Sequence, residues 1–425
     1  MIARIWRPAG VSREASVASV TSERGPGDGS ECNARRWLHG AGLATAGAAL
    51  FLAGAVAGGI AAAGEASPTA ATSIHGCVNA NTRALTVPLA GHPCPRGTNA
   101  LSWNVRGLRG ATGSAGPAGA PGWGDVFAGS RYAIDSPLAA VFDGIHIWVA
   151  NANNASVTEV NARDGSFVRN LSGGSYNFLA PRALAFDGRH IWVANPATVT
   201  EFNASDGSFV RNLAGGSYNF DHIAALAFDG NHVWTTNSGN NTVTEINASN
   251  GSFMQNLSGG NYNFSQPLAL AVGGTDVWVA NAGNGTVTEM KASDGSFVRN
   301  LSGGSYNFSG PDALMVNNGR LWVANLTNNT VTEVNTSDGS FVRSLSGGSY
   351  GFSAPTALAF DGRHVWVANP GNNTVAEINA SDGTWVRSAA GSSLGLATPN
   401  TLAAVGNRIW VTNQAANSLT ELPVG

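Results

Sequence analysis

Four sets of residues recur at spacings that could do chemistry. Glu159, Glu201, Glu245, Glu289, Glu333, Glu377 and Glu421 stand about 44 residues apart, and a ring of carboxylates could hold a cation. Ten residues after five of them come Arg169, Arg211, Arg299, Arg343 and Arg387, across an Ala-Ser-Asp-Gly-like turn. Positions equidistant from a hairpin turn face each other, so the five acids gain cross-strand Glu–Arg pairs, and a structural role is the simpler reading. Gln255 replaces the cation once, and Asp125 is the only group available to face Glu421, which makes that last pair repulsive or shifts its register. A second column reads His146, His190, His232, Asp276, Arg320, His364, Arg408. Its tolerance of both charges argues for solvent-facing strand starts rather than metal ligands.

The third set is two His-x-Cys pairs, His75-Gly76-Cys77 and His92-Pro93-Cys94. Four N/S donors could satisfy tetrahedral zinc, while a Cys77–Cys94 disulfide is the default in an oxidising compartment. The fourth is a Ser-Gly-Gly-Ser-Tyr-Asn-Phe-like loop that carries every tyrosine of the chain: Tyr132, Tyr176, Tyr218, Tyr262, Tyr306 and Tyr350. Tyr, Ser, Gly and Asn make an adaptable, low-entropy contact surface, so these six are the candidate ligand face. The blander reading packs them between repeats to set their spacing. Gly347-Gly-Ser349-Tyr-Gly351 matches G-x-S-x-G, but other copies of the loop have Asn at the last position, and a nucleophile elbow needs a helix that is not expected here. Zinc-protease, Walker A, Cys-x-x-Cys and EF-hand patterns are absent from the sequence. No catalytic residue, cofactor or metal is therefore assigned.

These columns exist because the chain is repetitive. Trp148, Trp192, Trp234, Trp278, Trp322, Trp366 and Trp410 each open a Trp-Val-Ala-Asn-like tetrapeptide, at spacings of 44, 42, 44, 44, 44 and 44. One unit runs Ala357–Gly362, His364–Asn369, Thr374–Asn379, Thr384–Arg387: four short β-branched or aromatic runs separated by Asp-Gly and Gly-Asn-Asn punctuation. Four strands in about 44 residues is one propeller blade, so the fold class is all-β and the architecture a seven-bladed β-propeller over 123–425. The seventh unit ends after three strands. Counting back 14 residues from Pro181, Pro267, Pro311, Pro355 and Pro399 reaches an aromatic of the outer strand, and the same count from Pro137 reaches Trp123. Residues 123–137 are thus expected to supply the missing outer strand and close the ring, which removes open sheet edges.

Trp410-Val-Thr-Asn413 followed by Asn417-Ser-Leu-Thr420 resembles the signature of the YVTN/YncE-like propellers, relatives of the NHL repeats that include surface-layer proteins. The resemblance implies the fold, with Trp in place of the signature Tyr throughout, and implies no particular activity. Virginiamycin B lyase has a propeller of the same general kind. Its repeats carry Trp-Phe-Thr-Glu-like tetrapeptides where this chain has Asn at the fourth position, so none of its site residues transfers.

Composition bounds the function. Charged residues are only 12 %, the net charge is −3 and Lys291 is the sole lysine, which excludes nucleic-acid binding through a basic surface. With 43 % hydrophobic residues the chain can bury a core and is not disordered. Ahead of the propeller, segment 1–39 holds six arginines, and 40–64 has no charge within the region 40–66, which reads as a signal peptide core or a single membrane anchor. Arg35-Arg36 precedes it as a partial twin-arginine motif, and Ala61-Ala62-Ala63 offers a cleavage site; Cys32 lies before it. Residues 67–106 form a small cysteine-containing segment. Glycine then recurs every third residue from Gly107 to Gly122, a collagen-like tract read as a stalk over 107–122.

The sequence therefore predicts an extracytoplasmic, secreted or surface-anchored, monomeric propeller that binds a polymer, glycan or protein without catalysis. The alternative is a lyase- or hydrolase-like enzyme with a channel-bound metal, for which the asymmetric residues Asp221-His222, Lys291 and Asp312 would have to converge.

Overall fold

The computed structural model describes residues 124–424 and, within 73–104, three strands with the short stretches 81–82 and 93–96. The apolar stretch 40–64, Arg35 and Arg36, Cys32, Trp123 and the glycines 107–122 lie outside the described residues. Among those described, no helix is long and apolar enough to cross a membrane. The chain divides into two compact units, 1–110 and 111–425.

In the first unit, Ser73–Asn79 pairs antiparallel with both Leu85–Thr86 and Thr98–Asn104. A Cys77–Cys94 disulfide ties the sheet, with a Cα–Cα distance of 5.5 Å. Sulfurs bonded to each other are not thiolates, so in this state they do not ligate zinc.

The second unit is seven four-stranded antiparallel sheets, all-β apart from short 3-10 turns. In blade one the strands are Pro137–Phe142, His146–Asn151, Ser156–Asn161 and Phe167–Ser172, from the central channel outward. Blades two to six repeat this order in sequence. Blade seven takes Pro399–Val405, Arg408–Asn413 and Ser418–Pro423 from the C-terminal end and Val126–Ala128 from the other. The pairs Ser418↔Ala128, Leu419↔Phe127 and Thr420↔Val126 close the ring. The closing strand is three residues long, and residues 129–136 form the loop that carries Tyr132.

The second and third strands of each blade are buried along almost their whole length because neighbouring blades cover both faces. That is why they read as near-continuous apolar or Thr-rich runs rather than alternating ones. Each tryptophan of the repeat is at most 1 % exposed and packs against the next blade, as Trp148 does against Ile191, Val193 and Phe202.

The Asn that ends every tetrapeptide is also buried. Asn151 Nδ2 donates to Thr158 Oγ1 at 2.9 Å, and Asn281 Nδ2 to Thr288 Oγ1 at the same distance. In four blades its Oδ1 accepts a backbone N–H from the loop leading into its own blade, for example Leu179 N at 2.9 Å. In those four blades the amide fixes the loop, whereas the Oδ1 atoms of Asn237, Asn325 and Asn413 are buried without a partner.

Candidate functional site

Each sequence-derived column can now be placed. Six of the seven Glu side chains are almost completely buried, and Glu421 is partly so. Arg169 Nε lies 2.6 Å from Glu159 Oε2, and Arg211, Arg299 and Arg343 face Glu201, Glu289 and Glu333 at 2.9, 2.6 and 2.6 Å. Arg387 pairs with Glu377 in the same way. The ten-residue spacing works because a bulge follows the Glu in blades one to six, so Glu201↔Arg211 is succeeded by Phe202↔Phe209. Gln255 takes the Arg place in blade three and donates to Glu245 Oε2 at 2.5 Å. Asp125 stands opposite Glu421, whose backbone N–H donates to its carbonyl, and Arg408 supplies the cation at 2.9 Å. The register is kept, and the like-charged pair is answered from the second strand.

The arginines also reach the next blade. Arg169 donates to the carbonyl of Asp206 and Arg211 to that of Asn250, each in the neighbour's third-to-fourth-strand turn. Gly251 in that turn has φ +73, and a Cβ there would sit 2.8 Å from Arg211 Cδ, so glycine is required for the close approach.

The His column is not at solvent-facing strand starts, which corrects that expectation. His364 is buried and His146, His190 and His232 are partly so. Each lies between two carboxylates: His190 Nδ1 is 3.0 Å from Asp187 Oδ2 and 3.4 Å from Glu201 Oε1. The aspartate belongs to the turn between the first and second strands. Its Oδ1 accepts two backbone N–H groups, and its Oδ2 accepts the buried indole N–H of Trp192 at 2.8 Å. Burial raises the Asp187, Asp229 and Asp361 pKa values, but these hydrogen bonds outweigh it and hold all three below the usual range. Asp187, His190 and Glu201 gather three ligand atoms within 4.8 Å, as do Asp361, His364 and Glu377. In both clusters an Arg and a Trp N–H already face the carboxylates, so the arrangement is satisfied without an ion.

The tyrosines are half-buried, one at each of six of the seven blade junctions, and are not gathered into one patch. Tyr218 stacks on Phe220 at 5.1 Å and meets Phe253 of the next blade edge-on at 5.9 Å. Its hydroxyl donates to the carbonyl of Gly251 at 2.6 Å, and Tyr262, Tyr306 and Tyr350 do the same to Gly295, Gly339 and Gly383. Tyr176 donates to Gly207, and Tyr132 packs edge-on against Phe167. What this face leaves exposed is mainly Ser, Gly and Asn.

The asymmetric residues separate. Lys291 Nζ is 2.6 Å from Asp276, directly opposite it in the register, and so compensates a second acid beside Glu289. Asp221 and His222 pair with each other on an exposed loop. Asp312 alone is in the central channel.

There the blades differ in kind. The residue after the first-strand proline, or Ile223 in its place, is Leu138, Arg182, Ala224, Leu268, Asp312, Thr356 or Asn400, and together these seven ring the channel mouth. In five blades the register slips at this residue, as between Pro311↔Asn325 and Ala313↔Ala324. A bulge re-aims the side chain it carries, and such positions are common beside binding sites. Two residues further along each first strand the ring is Ala140 and six leucines from Leu184 to Leu402. The cavity so lined is about 380 Å³. Arg182 Nε and Thr356 Oγ1 are buried without a hydrogen-bond partner, and burial pushes the Asp312 carboxyl up to about 6. Asn400 Nδ2 and Thr401 Oγ1 both turn to the Leu138 carbonyl at 2.7 Å. Sequence reasoning found Asp312 but missed Arg182 and Thr356; the available signal was a post-proline position that changes class from blade to blade.

No protein-family model and no curated protein matches the sequence. Solved structures do match in fold. Virginiamycin B lyase from Staphylococcus aureus is 15 % identical with a TM-score of 0.60 over 71 % of this chain and 99 % of its own. The WD40 β-propeller domain of Doa1 is 12 % identical with a TM-score of 0.57 over 71 % and 97 %. Hydrazine synthase of Kuenenia stuttgartiensis is 15 % identical with a TM-score of 0.58 over 69 % and 97 %. The likeness establishes the chain as a β-propeller, and its neighbours at this distance are functionally mixed.

Proposed function

We propose that this chain is an exported or surface-displayed propeller that binds a polymer, glycan or protein partner, without catalysis, at the mouth of its central channel. The observation that carries the reading is the contrast between the Glu, His and Tyr columns, which pair within or between blades, and the channel ring, whose residue changes class from blade to blade. There, Arg182 Nε and Thr356 Oγ1 remain buried and unpartnered. Buried polar groups without partners cost about 1 to 3 kcal/mol each, a cost that an arriving ligand offsets. The disulfide between Cys77 and Cys94 supports an oxidising compartment, as do the arginine-flanked apolar stretch and the resemblance to surface-layer propellers.

A lyase-like reading with a channel-bound metal has less support. Asp312 is the single carboxylate of the channel lining, which holds no His, Cys or second acid beside it. The full-length protein, screened against glycans, cell-wall polymers and peptides, should retain a ligand that Leu268→Trp, a plug in the mouth, abolishes without lowering the melting temperature. Turnover of a bound substrate that is lost in Asp312→Asn would overturn the non-catalytic reading.

A further inference from the structure

We infer that the group seated in the channel mouth is a carboxylate joined to a small apolar group, offered by a free acid or by the C-terminal residue of a peptide. This rests on the mouth being the binding site. The wall offers one permanent cation, Arg182, whose buried Nε has no partner. A guanidinium presents its N–H groups in a planar fork that matches a carboxylate with two parallel hydrogen bonds. Thr356 Oγ1, also buried and unpartnered, offers a donor on the opposite wall, three blades round the ring from Arg182.

Charge sets the valence of the ligand. Arg182 and Asp312 are the only ionisable residues of the lining, and they stand on blades two and five, as far apart as a ring of seven allows. A monoanion is matched by one guanidinium, whereas a phosphate dianion would leave uncompensated charge facing Asp312. The remaining wall excludes a strongly hydrated group for a second reason: Leu138 and Leu268 at the mouth and the leucine ring beneath it present hydrocarbon. The same leucines bury the apolar part of a carboxylic acid or of a C-terminal Leu or Val side chain.

Asp312 then tunes the site. Its carboxyl, held near 6 by burial alone, is neutral below that pH and charged above it. Protonation removes a repulsion, so carboxylate affinity rises as pH falls from 8 to 5.

The test titrates full-length protein with hexanoate, with a short peptide ending in a free Leu carboxylate, and with the same peptide amidated. The free acid forms should bind, the amidated peptide should lose about tenfold or more, and Arg182→Gln should cost the same factor. Asp312→Asn should bind at pH 8 as the parent does at pH 5. A peptide that binds where hexanoate does not assigns the chain terminus as the source; the reverse assigns a free acid. Equal binding of the amidated peptide, or an unchanged affinity in Arg182→Gln, overturns the carboxylate assignment. If in addition Leu268→Trp leaves binding of any captured partner unchanged, the mouth itself is not the site; if Leu268→Trp blocks a partner that carboxylates do not displace, the mouth stands and only the ligand class is wrong.

Discussion

Blades one, two, three and six carry the turn aspartate and the histidine together; blades four, five and seven lack both. Where Asp143, Asp187, Asp229 and Asp361 stand in the first group, the second has Gly273, Asn317 and Val405. Where the first has His, the second has Asp276, Arg320 and Arg408, and Asp276 brings Lys291 with it. The buried Glu is the one constant member. Its neighbours are exchanged as sets that keep cations against carboxylates, so the columns are blade-building charge networks. The cost of exchange is visible on the indole: Trp278 and Trp410, without the aspartate, have buried Nε1 atoms that no acceptor meets.

The largest expected effect comes from removing the cation while leaving the buried acid. Arg299→Met keeps the aliphatic stem and abandons Glu289, which should cost about 3 to 5 kcal/mol in urea unfolding at pH 8. Burial, the main influence on Glu289, raises its pKa to about 7 against the attraction of Arg299. At pH 5.5 the acid is neutral and the same substitution should cost much less. An equal cost at both values would mean that the pair contributes packing rather than charge.

Titration of the parent protein tests the two carboxylate populations together. Glu289, and in the same direction Glu159, Glu201, Glu245, Glu333 and Glu421, bind protons more tightly in the fold because burial disfavours their charged forms. Their contribution is complete below the ordinary value of 4.5 and is lost as pH rises through the folded values, about 7 for Glu289. Asp187, Asp229 and Asp361 are shifted down, so theirs is present above 3.8 and is lost on further acidification. Stability should therefore peak between about pH 4 and 5 and decline towards pH 8. A flat profile from 4.5 to 8 would show that the buried glutamates stay ionised.

A smaller effect separates the two groups of blades directly. Trp192→Phe and Trp278→Phe delete similar volumes at fully buried sites, but only the first removes a hydrogen bond to a carboxylate. The first should be more destabilising by about 1 to 3 kcal/mol in chemical denaturation. Equal losses would mean that the turn aspartate is held by its backbone donors alone.

The sequence showed most of this fold because a blade repeats its pattern about every 44 residues. The 14-residue proline offset carried the closing strand, and the ten-residue Glu–Arg offset carried the pairs. Burial of those pairs was not legible, since a Glu opposite an Arg looks the same on a solvated sheet as between two blades. Nor was the His environment: its partner aspartate belongs to a different strand connection, and tolerance of Asp and Arg looked like exposure when it was exchange of a whole charge set. Arg182 escaped because it stands just ahead of the first strand of its blade, Ala183–Phe186, where an alternating pattern assigns no face.

The least effect, and the sharpest on the idea of exchangeable sets, is expected from Gln255→Arg. Gln255 Nε2 now donates to Glu245 Oε2 and, at 2.8 Å, to the Asp294 carbonyl of the next blade. Arg211 serves the two equivalent acceptors one blade earlier, so an arginine fits blade three without new geometry. Because glutamine already satisfies both, the gain should be less than about 1 kcal/mol, and it should be electrostatic. The new cation lowers the raised pKa of Glu245, so the gain belongs at pH 8 and should vanish near pH 4, where the acid is protonated in folded and unfolded chains alike. A loss of stability at pH 8 would mean that blade three is balanced by His232 against Asp229 and Glu245 in a way the other blades are not, and the sets would not be interchangeable.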